Sequence, residues 1–206
     1  MRQRTALALI FLLALSLNVM SQSEDESFNF FLQAGLNASQ VGGDGLSGFD
    51  KLNIAAGIGT ERAFSDKFIG RLELNYLQKG SRKVADPQNN DRTENKMALS
   101  YAQVAPLLRY AYNEKLSAIG GLGLGFLLSS EETDFFGEIQ GNPDFEPLDL
   151  SFILGVQYFL SDRISAQIRL DQSFIPIRRR GSELTPNLRG RQYNTVLGIM
   201  LSYSIN

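Results

Sequence analysis

The stretch Asp162–Phe174, DRISAQIRLDQSF, constrains the fold more than any other part of this chain. Ile164, Ala166, Ile168 and Leu170 take every second position, and Arg163, Ser165, Gln167, Arg169 and Asp171 take the positions between. A period of two is the signature of a β-strand, whose successive side chains point to opposite faces. Such a strand has two surroundings, one apolar and one polar. The apolar face meets either a protein core or lipid.

The same alternation recurs along the chain. FNFFLQAGLN sets Phe28, Phe30, Leu32, Ala34 and Leu36 against Asn29, Gln33 and Asn37. KLNIAAGIGTE sets Leu52, Ile54, Ala56 and Ile58 against Lys51, Asn53 and Glu61. FIGRLELNY sets Phe68, Leu72, Leu74 and Tyr76 against Arg71, Glu73 and Asn75. SYAQVAPLLRYAY is less regular, with Val104, Leu108, Tyr110 and Tyr112 opposed to Gln103 and Arg109. LSAIGGLGLGFLL places Leu116, Leu122, Leu124, Phe126 and Leu128 opposite Gly121, Gly123 and Gly125. DLSFILGVQYF and QYNTVLGIMLSYSI complete the set. Eight strands of about ten residues match the tilted span of a bilayer.

The connections alternate in length. Short turns fall at Ala63–Ser65, Asn113–Glu114 and Ser161–Asp162, and long connections at Ala38–Phe49, Gly80–Met97, Ser129–Pro147 and Ile175–Arg191. Outer-membrane barrels have short periplasmic turns and longer extracellular loops. The expected fold is therefore all-β, an eight-stranded antiparallel up-and-down transmembrane β-barrel. Phe28, Phe68, Tyr112, Tyr158, Phe174, Tyr193 and Tyr203 lie near strand ends on the apolar face, as interfacial aromatic girdles do. The apolar face is accordingly read as lipid-facing. The alternative is a soluble, lipocalin-like periplasmic barrel with an apolar lumen that holds one small ligand.

Residues 1–21 read as a secretory signal peptide. Arg2 and Arg4 precede the apolar run Ala6–Leu17, and Val19-Met20-Ser21 offers a cleavage pattern. Residues 22–206 form the expected barrel domain. Removing Arg2 and Arg4 leaves 18 Lys and Arg against 22 Asp and Glu, a net charge of about −4. That balance argues against nucleic acid as a partner.

FLQAGLNASQ, FSDKFIGRLELNYLQKGS, LSYAQVAPLLRYAY, GGLGLGFLLS and SFILGVQYFLSD together resemble the PorT-like outer-membrane β-barrels of Bacteroidetes. The resemblance covers nearly all of residues 22–206. It implies an outer-membrane location, insertion by the barrel-assembly machinery and, after the family's namesake, an accessory role in protein secretion. The C-terminus departs from the aromatic ending of many barrels: Tyr203 is followed by Ile205 and Asn206.

The chain has no His and no Cys. Small barrels that are enzymes rely on His as general base beside Ser or Asp, so no enzyme is expected. Glu131-Glu132 reads as solvated charge, GLGLG at 121–125 lies within a strand, and no cofactor or metal spacing is present. The polar face carries Arg71, Glu73, Arg109, Arg169 and Asp171. An eight-stranded lumen is just wide enough for side chains to fill, so these residues are expected to form an ion-pair core rather than a pore. A small porin is the competing reading. The glycines of the fifth strand are expected to make room for these arginines.

Two long connections differ in charge. Ser129–Pro147 is acidic, and Ile175–Arg191 carries Arg178, Arg179, Arg180, Arg189 and Arg191. Guanidinium forks match phosphate geometry, which makes these arginines candidate contacts for lipopolysaccharide or a protein partner. The other reading has the two loops packing together at the outer mouth. The functional expectation is a non-enzymatic barrel with a plugged lumen that presents its loops to a partner or lipid.

Overall fold

Each short reversal has one construction. FSDK (64–67), YNEK (112–115) and LSDR (160–163) place Ser or Asn second, an acid third and a base fourth. Ser65 Oγ accepts from the Phe68 amide at 3.2 Å, Asn113 Oδ1 from the Leu116 amide at 2.8 Å, and Ser161 Oγ from the Ile164 amide at 3.1 Å. Local side-chain acceptors of this kind favour turns over continued ladders. The three reversals join consecutive antiparallel strands, all at one end of the fold.

The computed structural model of the chain describes residues 28–43, 48–83, 95–134, 137–139, 144–178 and 191–205. Its strands are β1 (Asn29–Gly42), β2 (Lys51–Ala63), β3 (Phe68–Lys83), β4 (Asn95–Ala111), β5 (Leu116–Asp134), β6 (Gly137–Glu138), β7 (Leu148–Phe159), β8 (Ile164–Ser173) and β9 (Tyr193–Ser204). Every pairing is antiparallel, and β9 returns to β1 with Leu36 opposite Ile199. The β4–β5 pairing completes the ring on the other side. The result is a closed eight-stranded barrel, with the two-residue β6 attached to the end of β5 alone. Closure gives each barrel strand a partner on both sides, which removes the exposed edge of an open sheet.

The barrel is apolar outside and polar inside. Leu32, Leu36, Ile54, Ile58, Leu72, Leu74, Leu154, Ile168, Leu197 and Ile199 are 47–58% exposed on the outer face. Gln33, Asn75, Gln103, Gln167 and Asp171 are at most 4% exposed within. A soluble barrel holding an apolar ligand needs the opposite arrangement, so that alternative is overturned. Phe28, Phe68, Tyr112, Tyr158, Phe174 and Tyr203 are also exposed, near strand ends.

Several expected boundaries change. β1 runs to Gly42, β3 to Lys83, β4 starts at Asn95, and β5 continues to Asp134, all inside segments expected to be loops. The ladder continues to Lys83 opposite Asn95. Here the outer face no longer needs apolar residues, so the alternation fades while the hydrogen bonds persist. In β4 the alternation is weak because Tyr101, Ala105 and Leu107 are buried on the inner face opposite the apolar outer one. The β5 glycines also serve different neighbours. A Cβ on Gly121 would strike the Pro106 carbonyl, and one on Gly123 would lie 2.6 Å from Gln103 Nε2. Gly125 faces Tyr101. They admit side chains and backbone of β4 and β7, not the arginines.

Candidate functional site

The inward residues of β3 set the order of the lumen, because Arg71, Glu73, Asn75 and Lys79 share one face at two-residue steps. Nearest the turn end, Glu61 on β2 receives two guanidinium groups. Arg71 Nη1 approaches its Oε1 at 2.6 Å, and Arg109 Nη2 its Oε2 at 3.0 Å. Arg71 Nε donates to Glu73 Oε1 at 2.6 Å. Arg169 Nη1, from β8 on the other wall, reaches Glu73 Oε2 at 2.8 Å. Gln33 Nε2 and Asn75 Nδ2 donate to the same oxygen at 2.9 and 2.8 Å. Glu73 is thus held by partners from β1, β3 and β8, as a buried carboxylate must be.

A second charge group lies toward the loop end. Lys79 Nζ stands 3.0 Å from Asp149 Oδ2 and 3.4 Å from Asp171 Oδ2. Asp149 also accepts from Ser173 Oγ at 2.5 Å and Asn194 Nδ2 at 2.9 Å. Gln103 Nε2 donates to Asp171 at 2.7 Å. Beside it, Lys51 Nζ donates to the carbonyls of Lys79 and Met97, both at 2.7 Å. Gly80 adopts a φ of 130° here, and a Cβ on it would lie 2.7 Å from Lys51 Nζ. Only glycine combines that backbone angle with that close approach.

The outer mouth is different in character. Val41, Met97, Leu99, Tyr101 and Ile177 form a buried apolar cluster, with Leu127 and Phe145 packed against it. Arg178 is turned inward: its Nη1 and Nη2 pair with Glu132 Oε1 and Oε2 at 2.9 and 2.7 Å. Its guanidinium carbon lies 3.6 Å from the Phe145 ring centroid. A one-residue irregularity places Glu132 there. Tyr101 pairs with Leu127 but Ser100 with Ser129, so Leu128 is extra and the phase of β5 flips. Glu132 therefore sits opposite Met97, an inward residue.

All five residues of the expected ion-pair core lie on the lumen wall, but the pairing has members that the sequence reading left out. Arg109 pairs with Glu61 and Asp171 with Lys79. Lys79 lies three residues beyond Tyr76, where the clear alternation of this strand stops; the two-residue phase of β3 extends to it. Among the candidate phosphate-binding arginines, Arg178 has its fork occupied by Glu132, and Arg191 is exposed. Arg179, Arg180 and Arg189 lie outside the described residues.

Residues 20–179 match the family described as outer membrane protein beta-barrel domain. No curated protein matches at the sequence level. Among solved structures, Neisserial surface protein A aligns with a TM-score of 0.55 at 12% identity, covering 87% of this chain and 100% of that one. Ail, the attachment invasion locus protein of Yersinia pestis, in complex with the heparin analogue sucrose octasulfate, aligns with a TM-score of 0.52 at 13% identity over 87% of this chain and 99% of Ail. A major outer membrane protein of Thermus thermophilus gives 0.50 at 12% identity, covering 87% and 100%. At these identities the likeness is one of fold. The apolar exterior, the closed eight-stranded ring and the family match together make this chain a member of the outer membrane protein beta-barrel domain family, seated in the outer membrane.

Proposed function

We propose that this protein is a non-enzymatic barrel with a plugged lumen, and that it works through the loops it presents outside the cell. The observation that carries this reading is the meeting of side chains across the bore. Lys79 on β3 reaches Asp149 on β7 and Asp171 on β8, and Arg169 on β8 reaches Glu73 on β3. An eight-stranded lumen has room for little else. Charges held this way resist conversion into an open water column, because each would lose its partner.

The loops are the part of such a barrel that can vary and bind. The arginine-rich segment around Arg179, Arg180, Arg189 and Arg191 suits an oxyanion-rich partner such as lipopolysaccharide phosphate. Ail, a fold neighbour, is bound to a polysulfated sugar in its structure. An accessory role in secretion, as in PorT-like barrels, is the finer form of the same reading, with a protein as the loop partner. The absence of His from the sequence supports a non-enzymatic role.

Conductance tests the plug. The purified protein in planar bilayers should give no stable open channel, and Arg109→Ala with Arg169→Ala should destabilise the barrel before it conducts. Reproducible single-channel steps from the wild type would make a small porin the better answer. For the loops, replacing Arg179, Arg180 and Arg189 by Gln should weaken retention on immobilised lipopolysaccharide; unchanged retention would remove that partner.

A further inference from the structure

Between the Glu61 charge group and the turn end lies a cavity of about 140 Å³. Its wall includes Arg71, Arg109 and Arg163 against two carboxylates, Glu61 and Asp162. Phe31 and Phe159 support the guanidinium groups from the side: Arg71 lies 3.9 Å from the Phe31 ring centroid, and Arg109 5.3 Å from that of Phe159. The volume is several times that of a water molecule in the liquid, about 30 Å³.

Of the two inward cations, Arg109 is less fully bonded than Arg71. Its Nη2 donates to Glu61, its Nη1 has only a 3.4 Å contact with Ser117 Oγ, and its Nε has no partner. A guanidinium offers five donors in a fixed fork, and buried or half-buried ones are held where acceptors meet them. Arg163 stands exposed on the β7–β8 turn at the rim of the same cavity.

The geometry points to a binding site for a small oxyanion, a carboxylate or a phosphate group, in this turn-end vestibule. Arg109 is its principal donor and Arg163 the rim contact. Glu61 has two effects: it orients Arg71 and Arg109, and it lowers the positive potential that the anion meets. Arg71 lines the vestibule and joins it to Glu73 deeper in the lumen. In the outer membrane the short turns face the periplasm, and so would this site. It is independent of the loops proposed to act outside the cell.

Side-chain Nε–Hε signals of the ¹⁵N-labelled protein in lipid nanodiscs test the site directly. Inorganic phosphate and acetate are titrated separately at constant ionic strength, with Arg178 at the other end of the barrel as internal control. The Arg109 signal should shift and saturate with at least one of the two anions while Arg178 stays still. Tighter binding of phosphate would assign a phosphate ligand, and tighter binding of acetate a carboxylate ligand. Arg163→Gln, at an exposed turn position that leaves the fold intact, should weaken the response about threefold or more, the size of one partly exposed charge interaction. Glu61→Gln should strengthen it, a direction that a merely structural arginine would not produce. A linear shift shared with Arg178, no shift with either anion, or an unchanged response in both variants would overturn the proposal.

Discussion

Lys79 Nζ lies 3.0 Å from Asp149 Oδ2 across the lumen, although 70 residues separate the two along the chain. Both side chains are fully buried, and Asp171 approaches the same ammonium at 3.4 Å. Removing the lysine would take the paired cation from two buried carboxylates, leaving Asp171 only the more distant charge of Arg169. Lys79→Met should therefore lower the unfolding free energy by about 3–5 kcal/mol. The readout is the urea midpoint of the barrel folded in lipid. Adding Asp149→Asn should restore part of the loss, whereas an unchanged midpoint for Lys79→Met would show that the pair carries no stability.

The outer face gives a second test. Leu154 is 55% exposed in the middle of β7, and Gln157 is 2% exposed on the lumen side of the same strand. Leu154→Arg should cost about 2–4 kcal/mol of insertion free energy, the value for a cation at the bilayer midplane of a barrel. Gln157→Glu should be milder, since Arg71 and Arg109 line the same cavity. Heat-modifiable gel mobility after folding into liposomes reports both. Reversed sensitivities would invert the assignment of lipid and lumen.

Neighbouring glycines on β5 should respond in opposite ways. A Cβ on Gly121 meets the Pro106 carbonyl and lies 2.8 Å from Leu107 Cα, both backbone atoms, while one on Gly120 finds Leu154 Cδ2 at an ordinary 3.5 Å. Gly121→Ala should destabilise by about 1–3 kcal/mol through overpacking against an unyielding neighbour. Gly120→Ala should be close to neutral. Equal urea midpoints for the two variants would contradict this close approach.

At the outer mouth, Arg178 and Glu132 form a two-pronged pair, and the Ile177 amide donates to the Gln192 carbonyl at 2.8 Å. Arg178→Ala and Glu132→Ala should be non-additive, with a coupling of about 0.5–3 kcal/mol in a double-mutant cycle. Each single variant should also speed hydrogen exchange at the Ile177 amide. Additive effects with unchanged exchange would mean that the pair does not hold this segment.

Much of the strand architecture is legible in the sequence, which sorts the side chains of the regular strands onto two faces. Alternation at two-residue steps puts Ile168 and Arg169 on opposite faces whatever the neighbours are, because the pleat has that period; the closed barrel then turns Ile168 outward and Arg169 inward. The sequence also determined the reversals, since Ser65, Asn113 and Ser161 make their turns through bonds a few residues away. Only the closed barrel decided who meets whom. Arg109 finds Glu61, and Lys79 finds Asp149 and Asp171, through strand tilt and closure that no local pattern encodes. Glu132 rather than Glu131 turns inward because β5 gains one residue over β4 at Leu128, and a one-residue slip exchanges the two faces of a strand. Local backbone geometry is written in neighbouring residues; the partners of a buried charge are set by the shape that brings distant walls together.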